Sequence, residues 1–198
     1  MSHDHIMLQH PSRSAPRGLA PPWHTRPPAF APASALAISA VLVGVAVITG
    51  PAVAVAFVPA IIAASHDADT RHLPDSWVAA TAVLAVVGTV TERGFGSVDL
   101  AAGSGLLAGA ALLAFHLVSP RVLGFGDVKF AAALGPLLVA GTSVDTFTGV
   151  ASLVAAWLCV ASAGAIVYAV VDRRSSVPFG PAIVVGAALV VTWGGNVR

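Results

Sequence analysis

The chain has 198 residues, of which 57 % are hydrophobic and only 10 % are charged, and its formal net charge is +1. Soluble domains carry about 25 % charged residues, so this chain cannot cover a water-facing surface and must lie mostly in lipid. The near-neutral charge gives no indication of nucleic-acid binding, and the single cysteine, Cys159, excludes an internal disulfide, a zinc ribbon and a CxxC redox pair.

The first 33 residues differ in composition from the rest of the chain and contain no apolar run of signal-peptide length. The prolines of this segment are Pro11, Pro16, Pro21, Pro22, Pro27, Pro28 and Pro32. Because proline fixes φ and removes an amide donor, we predict that residues 1–33 form an extended, disordered tail. We expect its histidines to be solvated and not to bind a metal.

From residue 34 onward the chain consists of apolar runs separated by short polar breaks. The runs are Ser34–Thr49, Ala52–Ala64, Trp77–Thr91, Leu100–Val118, Lys129–Ala140, Gly149–Val171 and Pro181–Trp193. A helix needs about 20 residues to cross the hydrocarbon, so the shorter runs must use interfacial residues or be shielded by neighbours. The runs are rich in alanine and glycine, which allow helices to approach closely in lipid. This pattern predicts an all-α, polytopic bundle of transmembrane helices.

Residues 34–64 form either one long helix or two short helices broken at Gly50–Pro51. With two helices the chain has seven spans, and most basic residues lie on the same side as the tail: Arg13, Arg17, Arg26, Arg71, Arg121, Lys129, Arg173 and Arg174. Only Arg93 and Arg198 lie opposite, which makes the first side cytoplasmic by the positive-inside rule. One long helix would divide these residues equally. We therefore predict seven spans and a cytoplasmic tail, with six spans as the alternative.

The acidic residues of the proposed cytoplasmic side are candidates for function, because an ionisable group at the edge of a membrane bundle is costly. They are Asp67, Asp69, Asp75, Asp127 and Asp172. We expect Asp75 to cap the helix that follows it, Asp172 to mark the end of a span, and Asp69 to face solvent. The pair Asp67-x-Asp69 resembles a metal-binding pattern, but no nucleotide or phosphate motif lies nearby, so we predict no metal.

Asp127 has a more unusual setting, since it follows Gly124-Phe125-Gly126 and precedes Val128-Lys129. The two glycines allow φ > 0 and a close backbone approach, so we expect a tight turn that places the carboxylate near the positive end of a helix. Lys129 could tune this carboxylate or orient a substrate. Alternatively, Lys129 simply extends to the membrane interface.

Three segments resemble motifs of the type IV prepilin peptidases. The first segment is residues 66–75, His-Asp-Ala-Asp-Thr-Arg-His-Leu-Pro-Asp. It is similar to a motif in which an Asp lies at the end of an apolar helix and a Leu/Ile-Pro-Asp/Asn sequence follows, with its Pro seven residues after that Asp. Residues 124–129, Gly-Phe-Gly-Asp-Val-Lys, are similar to the second motif, Gly-x-Gly-Asp-x-Lys. Residues 178–181 resemble the Pro-Phe-Gly-Pro that opens a late helix. The resemblance covers about residues 35–195.

This resemblance implies an intramembrane aspartic endopeptidase without a cofactor. Its substrate would be a prepilin-like precursor in the bilayer, and its short basic leader would be removed at the cytoplasmic face of the inner (plasma) membrane. Asp67 and Asp127 match the catalytic aspartates, Gly124 and Gly126 match the turn that presents the second aspartate, and Lys129 lies in the motif as a possible auxiliary residue.

The domain organisation that follows is a tail over 1–33 and a membrane-embedded peptidase domain over 34–198. Residues 178–181 match an element that flanks the site, for which we predict no chemistry. Larger members carry an N-terminal domain with paired Cys-x-x-Cys motifs that is associated with methylation. The chain lacks those cysteines and resembles the short, peptidase-only form, so we expect no N-methyltransferase activity.

Two other classes of protein use acids in membranes. A transport protein that relays protons or ions predicts acidic residues along the membrane depth, whereas here the candidates cluster at one face. Related Gly-x-Gly-Asp proteases that act on signal peptides have a Tyr-Asp pair on the preceding helix, whereas Asp67 follows His66.

Overall fold

The computed structural model describes residues 44–45, 47–120, 122–172 and 179–195. The predicted tail, residues 1–33, and the start of the first apolar run lie outside the described residues. Within these ranges the chain folds into helices joined by short turns, and no described residue belongs to a strand. The all-helical part of the predicted fold is therefore confirmed.

Six helices with defined bounds follow helical residues at 44–45 and 47–49 in the described part of the chain. They are α1 (Pro51–Thr70), α2 (Asp75–Arg93), α3 (Val98–Val118), α4 (Phe125–Ala140), α5 (Phe147–Asp172) and α6 (Phe179–Gly195), with a 3₁₀ turn at Phe95–Ser97. Each helix contains one of the predicted apolar runs. Lipid offers the backbone no hydrogen-bond partners, which is why an apolar run in a membrane protein becomes a helix.

Gly50 separates the first helical stretch from α1. Its φ of 113° and ψ of 155° are outside the helical region, and Pro51 takes the first helical position of α1. Positive φ favours glycine, and proline at this position loses no helical hydrogen bond. The chain thus forms two helices here and not one long helix.

Three helical segments of the described residues are long and apolar enough to cross a membrane. They are Pro51–Thr70, Phe95–Val118 and Phe147–Val170, while Phe179–Gly194 is apolar but shorter. The protein is therefore a helical protein with membrane-span candidates, and the total of seven spans stays a prediction.

α4 is the central helix of the bundle, and 12 of its 16 residues are buried. It packs against α2, α3, α5 and α6 and also touches α1. Because these neighbours surround it, a helix of 16 residues can lie inside the bundle without spanning the lipid by itself. The predicted shielding of a short apolar run is confirmed for this helix.

The closest packing joins α3 to α4 through two glycines. A Cβ atom added at Gly135 would lie 2.5 Å from the Cα of Gly105 on the neighbouring helix. We expect Gly135→Ala to lower the free energy of unfolding by about 1–3 kcal/mol, because backbone atoms would have to separate. Thermal unfolding in detergent measures this, with Gly96→Ala as the control, since nothing lies within 4 Å of a Cβ there. Equal stability of the two variants would contradict the close packing.

The end of α4 that lies away from Asp127 is held by Arg93 at the end of α2. The guanidinium donates from Nη1 to the carbonyl oxygens of Val139 (3.0 Å) and Thr142 (2.6 Å), and it pairs with Asp145. Terminal carbonyls of a helix have no full set of intrahelical partners, so this side chain supplies donors to carbonyl groups at the end of α4. α2 and α4 are thereby fixed to each other at this end of the bundle.

Candidate active site

Asp67 lies in the last turn of α1, and its side chain is buried, with 7 % of the residue exposed. Its Oδ2 accepts a hydrogen bond from the main-chain N–H of Gly180 at 3.2 Å, across 113 residues of sequence. Gly180 is in the first turn of α6, where amide groups have no helical acceptor and the helix dipole is positive. The carboxylate is therefore held at the start of a helix that is distant in sequence.

Gly180 leaves room for the side chain of Asp67. An added Cβ atom would lie 2.8 Å from Oδ2 of Asp67 and 3.3 Å from its Cβ. The sequence motif at 178–181 was predicted to flank the site without chemistry, and the structure gives Gly180 a direct contact with the first aspartate. Residue 178 lies outside the described residues.

The segment after Asp67 folds back toward the second motif. Arg71 ends α1 in the left-handed region, with φ of 56°, and its N–H donates to the carbonyl of Asp67 at 2.8 Å. The buried side chain of Leu73 then reaches Gly126, where an added Cβ atom would lie 3.5 Å from it. The loop between α1 and α2 thus brings the two motifs into contact.

Asp127 is the third residue of α4 and is also buried, with 9 % of the residue exposed. Its Oδ2 accepts the main-chain N–H of Gly124 at 3.2 Å, which is one half of a capping box. The carboxylate is therefore fixed by the N-cap residue of its own helix.

The two motif glycines do not use the positive φ that glycine allows. Gly124 has φ of −72° and ψ of 149°, and the described glycines with positive φ are Gly50 and Gly94. The helix begins at Phe125, so Gly126 is already helical and Gly124 needs only the extended conformation usual before a helix. The turn still presents Asp127, but through the Gly124 amide.

The two carboxylates lie in one site. Asp67 and Asp127 lie close enough to interact electrostatically, and these are the two buried acidic side chains among the described residues. In the described ranges, no group of three or more His, Cys, Asp or Glu side chains is arranged to hold a metal ion. Two neighbouring carboxyl groups that share one proton can act together as acid and base.

Residues 54–170 match the model of the type IV leader peptidase family. The chain belongs to this family. The matched range is more than half of the chain and contains both Asp67 and Asp127, while Gly180 lies beyond it. No curated protein and no solved structure gives a significant match.

Lys129 of this leader peptidase pairs with Asp75. Its Nζ lies 3.1 and 3.3 Å from the two carboxylate oxygens and 5.5 Å from the ring centroid of Phe125. The expected capping by Asp75 is wrong, because Pro74 occupies the N-cap and Asp75 is the first residue of α2. Its carboxylate turns to the ammonium group of Lys129 instead. The pair joins the ends of the two aspartate motifs, 54 residues apart.

Both side chains of this pair are substantially exposed, so the pair should contribute little to stability. We expect Asp75→Asn and Lys129→Gln each to lower the free energy of unfolding by less than about 1 kcal/mol. A double-mutant cycle on thermal unfolding measures the coupling, and high salt should reduce it. A leader-cleavage rate lost in Lys129→Gln but retained in Asp75→Asn would show that Lys129 acts on the reaction and not only on this pair.

His116, which lies outside the sequence motifs, contacts the residue directly before the second motif. Nδ1 of His116, near the end of α3, lies 2.7 Å from the carbonyl oxygen of Leu123, directly before Gly124. A carbonyl oxygen only accepts, so Nδ1 carries the proton. The imidazole also contacts the ring of Phe125, with 5.9 Å between centroids. The sequence offered no signal for this role, since the histidine lies seven residues before its partner and outside the motif.

Proposed function

We propose that this leader peptidase is an aspartic endopeptidase that removes the short basic leader of prepilin-like precursors at the cytoplasmic face of the inner (plasma) membrane. The observation that carries the proposal is the pair of buried carboxylates, Asp67 and Asp127, that meet from α1 and α4 in a chain of this family. A transport protein would be expected to have acids along the membrane depth. The two buried acids of the described residues instead share one end of the bundle.

The proposed reaction uses one proton shared between the two aspartates. The ionised carboxylate takes a proton from water as the water oxygen attacks the scissile carbonyl carbon, and the protonated carboxyl group hydrogen-bonds to the carbonyl oxygen. The carbon–nitrogen bond then breaks, and the leaving amine takes the proton that the carboxylate received from water, which restores the singly protonated pair. In both aspartates a main-chain N–H donates to Oδ2, and in the proposed reaction Oδ1 acts on water and substrate. The apparent pKa values of such a dyad belong to the pair.

The orientation of the protein is supported by its charge distribution. Asp67 lies in the last turn of α1, Asp127 in the first turn of α4 and Gly180 in the first turn of α6, so the site lies at the end of the bundle where α1 passes to α2, α3 to α4 and α5 to α6. The sequence between these helices, together with Lys129 near the start of α4, contains most basic residues after residue 33, which favours the cytoplasm for this end. A leader rich in basic residues would remain on the same side.

Co-expression of the wild-type protein with a prepilin-like precursor tests the proposal. We expect the precursor to shorten by the mass of its leader, as measured by mass spectrometry of the isolated membranes. The same spectra report methylation of the new N-terminus, which we expect to be absent. A precursor that stays intact beside correctly inserted peptidase would overturn the proposed function.

A further inference from the structure

We propose that the groove between α1 and α6 is the docking site for the apolar helix of the precursor. The groove has a volume of about 450 Å³, and the helical stretch that contains residues 44 and 45 closes its third side. α1 contributes Ile61, Ala64 and Ala68, and α6 contributes Pro181 and Val185. This inference rests on the proposed function, because the occupant is the substrate of the aspartate pair.

One end of the groove is lined by residues that adjoin the candidate catalytic site in the sequence. Ala64 and Ala68 lie three residues before and one residue after Asp67, and Pro181 directly follows Gly180. The hydrogen bond from Gly180 to Asp67 therefore joins the two walls of the groove at this end. A peptide segment that leaves the groove here arrives beside the carboxylate that would cleave it.

The dimensions of the groove suit part of a transmembrane helix. Its lining on α6 runs from Pro181 to Thr192, which corresponds to about 16 Å of helix at 1.5 Å for each residue. This is about half the thickness of the hydrocarbon core of a bilayer. The cleaved bond of a prepilin-like precursor lies at the start of its apolar helix, so the first turns of that helix would occupy this length.

The chemistry of the lining also fits an apolar helix. Ser65 and Thr192 are its polar side chains, and the small side chains of Ala64, Ala68 and Ala188 allow a close approach of helix backbones. The groove is open at its side, since Val185 and Leu189 are 57 % and 55 % exposed. A helix that diffuses in the membrane can enter by this route without crossing the polar loops.

Disulfide crosslinking tests the docking site directly. Cys159 is the single cysteine of the chain, so Cys159→Ser gives a cysteine-free background, and Asp127→Asn keeps the precursor uncleaved. A cysteine is then introduced by Val185→Cys in the groove or by Val167→Cys on α5. Val167 is 62 % exposed and outside the groove, which makes it a matched control. The precursor carries its own cysteine in the first turns of its apolar helix.

We expect oxidation to give an enzyme–precursor product with Val185→Cys and little or none with Val167→Cys. Equal products from the two variants, or none from the groove position, would overturn the inference. A crosslinked product with twice the enzyme mass would show that a second copy of this chain occupies the groove. A further variant carries a second cysteine among residues 34–43 of the enzyme. An intramolecular disulfide in this variant would show that the groove is occupied by the chain's own first segment. Either of these outcomes would also overturn the inference.

A kinetic test separates docking from catalysis. Val185→Trp fills the groove, so we expect KM for the precursor to rise at least about tenfold with kcat retained, as for an overpacked binding site. Val167→Trp should process the precursor at the wild-type rate. Unchanged KM in Val185→Trp would overturn the docking site while the proposed function stands. If the wild-type protein itself fails to cleave the precursor, the proposed function falls and the docking site with it.

Discussion

Asp67→Asn and Asp127→Asn are each expected to lower the rate of leader cleavage by at least about 1,000-fold, because the reaction needs both an acid and a base. Asparagine keeps the shape of the side chain and an oxygen that can accept the amide of Gly180 or Gly124. The fold should therefore be retained. Single-turnover cleavage of a precursor in membranes measures the rate, and thermal unfolding in detergent checks the fold.

The matched control is Asp69→Asn, since Asp69 is on the same helix, two residues from Asp67, and is exposed. We expect this variant to cleave at the wild-type rate. The double variant at positions 67 and 127 should be no slower than either single variant, because the two carboxylates act as a unit. Wild-type cleavage by either single variant would show that the catalytic pair is wrongly assigned.

Gly180→Ala is expected to lower kcat by roughly 100-fold, which is the second largest effect. A displacement of about 1 Å of a reacting group is enough to cause a loss of this size. The added methyl group would lie 2.8 Å from Oδ2 of Asp67, so the carboxylate or the start of α6 must move. The amide donor itself remains in this variant. The loss of activity would thus reflect a displaced carboxylate and not a missing hydrogen bond.

Gly164→Ala provides the comparison for this substitution, because its added Cβ atom would lie 4.0 Å from Ala182, an ordinary contact. We expect normal cleavage and slightly higher stability, since alanine favours the helix more than glycine does. Wild-type kcat in Gly180→Ala would contradict the close approach to Asp67. A parallel loss of thermal stability in Gly180→Ala but not in Gly164→Ala would assign the effect to folding and overturn the positioning role.

The helices could be predicted because each depends on a local property of the chain. The run Leu100–Val118 became α3 with a change of two residues at its start, and Gly50–Pro51 broke the first apolar stretch. In a membrane an apolar run has to form its hydrogen bonds internally, so hydropathy alone defines such helices.

The contacts that build the site could not be predicted in the same way. Every residue except proline has a main-chain N–H, so no pattern in the sequence distinguishes the amide of Gly180 as the partner of Asp67. The motif at 178–181 marked the place but not the contact. Similarly, Asp75 had a plausible local role as a cap, and a partner 54 residues away, Lys129, determined its actual orientation.

α2 contributes no catalytic side chain, yet it is linked to α4 at both ends. Asp75 pairs with Lys129 at the end near the aspartates, and Arg93 binds the carbonyls at the other end. α1 is joined to α2 by the short loop at residues 71–74 and also packs against it. The spacing of the two aspartates is thus preorganised by a helix that contains neither of them, and the geometry of the pair is set before any substrate binds.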